Sequence, residues 1–221
     1  MNKYRYFDYY QMTDIFDNLY GKSMKNYKFN RLYEIISSDN NLKLAFRMIK
    51  SNHGSKTPGI DGLTIKDIKA RDIDEYIPKL KELLENYKPN KIKRVWIPKG
   101  INEKRPLGIP TIEDRIIQQA IKQVIEPICE AKFHNHSYGF RPNRSTAHAL
   151  ARVNYLINQA GFYYSVDLDI KSFFDNVNHN KLIKQLFSIG IRDRKVLAII
   201  KQILKAEVQG EKETIKGTPQ G

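Results

Sequence analysis

Two aspartates, Asp167 and Asp169, close a run in which apolar and polar residues alternate: Phe162, Tyr164, Val166, Leu168 and Ile170 against Tyr163, Ser165, Asp167 and Asp169. A period of two is that of a strand, so the two carboxylates fall on one face near the strand's C-terminal end. Carboxylates so placed repel each other unless a cation or a basic group sits beside them, and an exposed polar strand end is the plain reading of such a pair. Here the pair runs straight into Lys171-Ser172-Phe173-Phe174-Asp175. An aspartate at a strand end, a turn of backbone amides and an aromatic plate could together hold Mg²⁺ on a triphosphate while the plate meets a sugar.

Chemistry on phosphates needs cations, and the sequence supplies them. Its 221 residues carry 38 Lys and Arg against 24 Asp and Glu, a formal net charge of +14. Such an excess points to a polyanion, because phosphate neutralisation with counterion release dominates nucleic-acid affinity. A protein that is merely soluble at high positive charge, or that touches anionic lipid, is the alternative. Between Lys88 and Arg105, the residues Lys91, Lys93, Arg94, Lys99 and Lys104 add to those two cations and face one acid, Glu103. Trp96 lies among them and Lys99-Gly100 closes the run, so it reads equally as a solvated hairpin or as a phosphate-gripping finger. Cys129 is the single cysteine, which excludes an intrachain disulfide framework and a cysteine-based zinc site. A reducing, cytoplasmic location is the simplest expectation. No stretch approaches the roughly 18 apolar residues of a membrane span, so no membrane partner is expected.

The elements that must position these groups follow from apolar spacing. Asn40 to Ile49 and Asp74 to Tyr87 each present one apolar stripe and are predicted helices. Lys91 to Pro98 reads as a strand. Ile112 to Ile128 is a predicted buried-face helix, entered through Thr111 as cap and bent at Pro127. Further helices are expected over about Ser145–Gln159, stopped by Gly161, and over Asn178–Ser188 and Asp193–Ala206, followed by a short hairpin from Glu207 to Lys216. The first forty residues, rich in Tyr, Asn and Lys, are only weakly periodic.

Asp167-Leu168-Asp169-Ile170-Lys171-Ser172-Phe173-Phe174-Asp175 resembles the first palm motif of bacterial reverse transcriptases, in the form found in group II intron-encoded proteins. Four further blocks match in order. Thr57-Pro58-Gly59-Ile60-Asp61-Gly62 is similar to the N-terminal extension motif, and Arg105-Pro106-Leu107-Gly108-Ile109-Pro110 with Asp114-Arg115 resembles the fingers motif. Ser137-Tyr138-Gly139-Phe140-Arg141-Pro142-Asn143-Arg144-Ser145 matches the next block, and Gly217-Thr218-Pro219-Gln220-Gly221 resembles the opening of the template-contacting block.

The resemblance implies an α+β fold: a right-hand polymerase fingers lobe over residues 1–161, mainly helical with a basic β ribbon, and the start of an antiparallel palm sheet over 162–221. It implies RNA-directed DNA polymerase activity and maturase activity that assists splicing. The implied partners are intron RNA, template-primer, deoxynucleoside triphosphates and, in a full protein, target DNA. Asp169 would be the catalytic, metal-binding carboxylate and the Ile170 carbonyl a further ligand for one of two Mg²⁺ ions. Phe174 would lie beneath the nucleotide sugar, Lys99 and Arg105 would grip the triphosphate, and Gln220 would sit near the incoming nucleotide. Lys91, Lys93, Arg94, Arg141 and Arg144 are expected to meet RNA. Asp167 is expected to pair with a fingers arginine, and Arg141 and Arg144 to meet phosphate or an acid such as Asp175. His179 is expected to pack or cap.

The sequence lacks the aromatic-Ala-Asp-Asp hairpin that supplies the family's second acid pair. The chain alone is therefore expected to be an N-terminal portion that does not extend a primer, with an incomplete sheet prone to self-association, including a homodimer. A non-catalytic module gripping structured intron RNA is the alternative.

Overall fold

The tyrosine-rich beginning of the chain is helical. The computed structural model describes residues 4–69, 73–100, 103–211 and 216–218, apart from the side chains of Tyr4, Lys69 and Lys99. Within them α1 spans Tyr4–Tyr9, α2 Thr13–Met24 and α3 Leu32–Ile36. Packing rather than periodicity makes these helices: Met12 is fully buried between α1 and α2, and the rings of Phe7 and Phe16 meet edge to face at 5.2 Å.

Helix α4, Asp39–Lys50, and helix α6, Ile73–Glu85, form where the apolar stripes predict them, with the short α5, Ile65–Lys69, between. The Ser38 hydroxyl caps α4 by accepting from the Asn41 amide. Strands β1, Lys93–Lys99, and β2, Glu103–Ile109, pair antiparallel from Lys93 opposite Ile109 to Lys99 opposite Glu103. Helix α7, Ile112–Glu130, follows at once, and Thr111 caps it as expected by accepting from the Asp114 amide at 3.2 Å. It continues through Pro127 to Glu130.

Helices α2, α3, α4 and α6 pack around α7, whose Ile112, Ile116, Ile117, Ala120, Val124 and Ile128 are almost completely buried. At about 25 cal/mol per Å² of apolar surface removed from water, this seam is the main favourable term in the fold. Its polar members are satisfied: Gln123 Nε2 donates to the Asn41 side-chain oxygen at 2.6 Å, and Asn41 Nδ2 donates to the Ile36 and Ala120 carbonyls at 2.9 and 3.1 Å.

Helix α8 spans Thr146–Asn158, α9 His179–Ser188 and α10 Arg194–Leu204. Asp193 joins α10 to the N-terminal helices: one carboxylate oxygen caps α10 and the other accepts from the Tyr33 amide at 2.9 Å. Helix α8 buries no residue, and Leu150, Val153, Tyr155 and Ile157 face solvent.

The strand expected over Phe162–Ile170 is not formed. Residues 161–170 pair with no other segment, and β1 and β2 make the only sheet among the described residues. Both alternating sets are exposed, from Phe162 at 63% to Tyr164 at 98%. Alternation records suitability for a sheet, but a ladder also needs a neighbour to take its N–H and C=O groups. The structure is thus α+β with a mainly helical body and one basic β ribbon, and no palm sheet is present among the described residues. The hairpin expected from Glu207 to Lys216 lies partly outside those residues, as do Pro219, Gln220 and Gly221.

Candidate nucleic-acid and nucleotide site

The β1–β2 hairpin projects from a root fixed on three sides. Directly opposite residues of an antiparallel pair share a face. The pairing of Ile97 with Arg105 and of Lys93 with Ile109 therefore puts Lys93, Ile97 and Arg105 on one face, and Arg94, Trp96 and Lys104 on the other. Arg105 is exposed, and so is Trp96, at 57%.

The first side of the root is the buried carboxylate of Asp114. It accepts from Tyr87 Oη at 2.8 Å, the Asn90 amide and Asn90 Nδ2 at 3.1 Å each, and Thr111 Oγ1 at 2.7 Å. Four donors solvate the buried charge in place of water. Burial first, and the Asp114 charge second, push the Tyr87 phenol above its usual pKa, so it remains a donor.

The second side is the loop 57–62. Arg115 donates to the carbonyls of Pro110, Gly54 and Thr57, each at 2.8 Å, which ties that loop to the end of β2. Gly59 lies so close that a Cβ there would sit 2.7 Å from Thr111 Cα and 3.1 Å from the Pro110 carbonyl oxygen. Only glycine fits without moving backbone.

The third side is the segment after α10. Ile92 donates to the Glu207 carbonyl at 2.7 Å and accepts from the Gln209 amide at 2.9 Å. Lys91 pairs with Glu207 at 2.8 Å, and this hydrogen bond raises the lysine's pKa. Arg94 pairs with Glu211.

Behind the root, a cavity of about 210 Å³ is lined by Arg94 and Pro106 of the hairpin and by Asp175, Gly217 and Thr218. Asp175 belongs to a short 3₁₀ turn, Phe174–Asn176, preceded by Phe173; the Phe173 and Phe174 rings lie 5.7 Å apart and are half exposed. The chain at 216–218 is fastened to this turn: Gly217 donates to the Val177 carbonyl and Thr218 to the Phe174 carbonyl, both at 2.8 Å. One face of the ribbon, through Arg94 and Pro106, Asp175 of the turn and the start of the Gly-Thr-Pro-Gln-Gly block therefore share one cleft, and Arg105 stands on the ribbon's other face.

Residues 97–221 match the family described as reverse transcriptase (RNA-dependent DNA polymerase). This chain belongs to the reverse transcriptase family. The protein YkfC of Escherichia coli (strain K12) is 36% identical over 201 residues, 88% of this chain and 52% of that protein. The group II intron-encoded protein LtrA of Lactococcus lactis subsp. cremoris is 36% identical over 197 residues, 87% of this chain and 32% of that protein. An uncharacterized 91 kDa protein in the cob intron of Schizosaccharomyces pombe is 36% identical over 181 residues, 80% of this chain and 22% of that protein. The chain thus spans about half of the first of these relatives and less of the others.

The remaining expected residues of this reverse transcriptase chain lie apart from the cleft. Asp167 and Asp169 are exposed on the unpaired 161–170 segment, and neither lines the cavity. Their carboxylates and the Ile170 carbonyl offer the oxygen donors that a hard divalent cation takes. No cluster of three metal-ligating side chains occurs among the described residues. The side chain of Lys99 and the whole of Gln220 fall outside the described residues.

Arg141 is internal, its side chain 7% exposed. It grips Glu130, with Nη2 to Oε2 at 2.9 Å and Nε to Oε2 at 3.0 Å. Its Nη1 donates to the His134 and Ser137 carbonyls at 2.7 and 3.0 Å. Glu130, rather than the Asp175 expected, is the acid. Arg144 stands over the Tyr138 ring at 5.9 Å. Sequence reasoning did not find Glu130, Glu207, Glu211 or the group around Asp114. Asp114 alone carried a signal, as part of the fingers-motif resemblance, and that signal did not point to a buried, four-donor carboxylate.

Proposed function

We propose that this chain is the fingers, residues 1–161, and the beginning of the palm, residues 162–221, of an RNA-directed DNA polymerase of the group II intron-encoded kind. The observation that carries the reading is the shared cleft: the face of the hairpin root that bears Arg94 and Pro106 meets Asp175 of the Phe174–Asn176 turn and the Gly217–Thr218 segment. Lys99 and Arg105, the latter on the hairpin face opposite the one that lines this cavity, would hold the triphosphate, Phe174 would pack beneath the sugar, and Gln220 would meet the incoming nucleotide. Asp169 and the Ile170 carbonyl would hold a Mg²⁺ ion once other parts of the palm fix the strand that bears them. The metal, when bound, supplies charge neutralisation on the phosphates. Lys91, Lys93 and Arg144 would follow the RNA backbone. Arg141 would serve by fixing its loop, and Arg94, engaged by Glu211, by fixing the ribbon.

Primer extension on an RNA template by the full polypeptide that contains this segment tests the reading. Extension should require Mg²⁺ and vanish in Asp169→Ala; extension that survives the substitution refutes the assignment. A second reading, intron-RNA binding that aids splicing, is favoured by the exposed Lys104 and Arg105 on the outer part of the hairpin. It predicts RNA affinity that falls steeply with salt, with a slope smaller by about two to three in the Lys93, Lys99 and Arg105 triple alanine variant.

A further inference from the structure

His179 is only 3% exposed, yet it sits on the first residue of a helix whose cap is already supplied by Asn178. One nitrogen, Nε2, lies 2.6 Å from the Gly217 carbonyl oxygen. A carbonyl only accepts, so Nε2 carries the proton in this contact. The other nitrogen, Nδ1, is buried without a hydrogen-bond partner among the described residues. A buried imidazole that spends its polarity on a single carbonyl is costly as packing alone, because a leucine would fill the space without an unsatisfied atom.

The contact has a consistent surround. Gly217 adopts φ +90°, and a Cβ on it would lie 2.9 Å from the Asp175 carbonyl oxygen, so the strand lies flat against the turn. Asn178 and Lys216 form an antiparallel bridge, and Lys216 Nζ donates to Asn176 Oδ1 at 2.9 Å. Gly217 and Thr218 amides are taken by Val177 and Phe174. Among these contacts, that of His179 is the one made by a buried side chain.

We propose that His179 is a positioning residue: it latches the segment at 216–218 onto the Phe174–Asn176 turn, so that Phe174 and the Gly217–Thr218 backbone meet a nucleotide in a fixed relation. The inference rests on the polymerase reading for its catalytic consequence, but not for the latch itself. The geometry also specifies the replacement that should work, because a glutamine amide can present Nε2–H where the imidazole does.

The test uses His179→Leu and His179→Gln in the full polypeptide, with two readouts. Hydrogen exchange of the Gly217 and Thr218 amides should quicken about 10- to 100-fold in His179→Leu while α4 and α7 amides stay protected, and His179→Gln should restore most of the protection. In single-nucleotide incorporation, His179→Leu should raise KM for the nucleotide about 10-fold with kcat changed less than about 3-fold, again with rescue by glutamine. Unchanged exchange at Gly217 and Thr218 overturns the latch whether or not the protein polymerises. Altered exchange with unaltered KM overturns its positioning role. A wild-type protein that incorporates nothing refutes the polymerase reading and, with it, the positioning role, while the exchange result still decides the latch.

Discussion

Arg141→Met should be among the most damaging single changes in this protein, and the cost can be worked from the contacts. The substitution keeps a long apolar stem over Phe133, whose ring lies 5.4 Å from the guanidinium, but removes every donor. Glu130, 13% exposed, is left as an uncompensated charge, and the His134 and Ser137 carbonyls lose their partner. Breaking a buried pair from one side costs about 3–5 kcal/mol. The loop it holds is itself unfavourable, because Phe140 and Asn143 adopt φ +55° and +57°. Such residues persist only where the surroundings over-determine them. For a chain of this size about 2–4 °C is lost per kcal/mol, so the melting temperature should fall by about 6–20 °C. Adding Glu130→Gln to Arg141→Met should recover part of the loss, since the stranded charge is gone. Thermal and urea unfolding of the three variants measure this. A fall of less than about 2 °C in Arg141→Met, or a double variant worse than Arg141→Met alone, would refute the argument that the ion pair holds the loop.

Tyr87→Phe removes one of four donors from Asp114 and should destabilise by about 1.5–3 kcal/mol in urea unfolding, whereas a loss under about 0.5 kcal/mol would mean that water replaces the phenol. Gly59→Ala should cost about 1–3 kcal/mol and loosen the 57–62 loop, read as faster proteolysis there, because backbone at 2.7 Å must move. Burial, ahead of the neighbouring Glu130 and Glu126, raises the Cys129 thiol to about 11, so at pH 8 about 0.1% is thiolate and alkylation should run about 100-fold slower than for an exposed cysteine. The sign follows for stability: a raised thiol pKa leaves its contribution intact below the ordinary value near 9, and stability should be lost as the pH rises from there toward about 11. A Cys129→Ala variant should lack that alkaline component.

Helices α4, α6, α7, α9 and α10 were legible in the sequence because each buries one stripe, and a stripe is a local pattern. The hairpin was legible as β-rich residues around Gly100. What escaped depends on residues distant in the chain. Lys91 and Arg94 read as free cations until Glu207 and Glu211, more than a hundred positions later, come back to meet them. Tyr87 read as the end of a helix, and nothing nearby in sequence marks it or Asn90 as a donor to Asp114. Helices α1 and α3 escaped for the opposite reason, being too short to display a period, and α2 because its apolar residues are only weakly periodic. Residues 162–170 show the limit of alternation, which marks a segment fit for a sheet without supplying the neighbour. Of the site, the sequence order of the blocks was informative, and the cleft formed by the hairpin, the Phe174 turn and Gly217 required three dimensions.

The four donors on Asp114 also restrict how the ribbon could travel. Sliding it along α7 would strip a buried charge of its solvation, whereas tilting it about Asn90 and Pro110 would spare those bonds. Seven residues of strand reach about 23 Å, so a swing of about 10° at that pivot would carry the far end about 4 Å. A small torsion at a rigid fulcrum thus suffices to open or narrow the gap beneath the arm without disturbing the helical body.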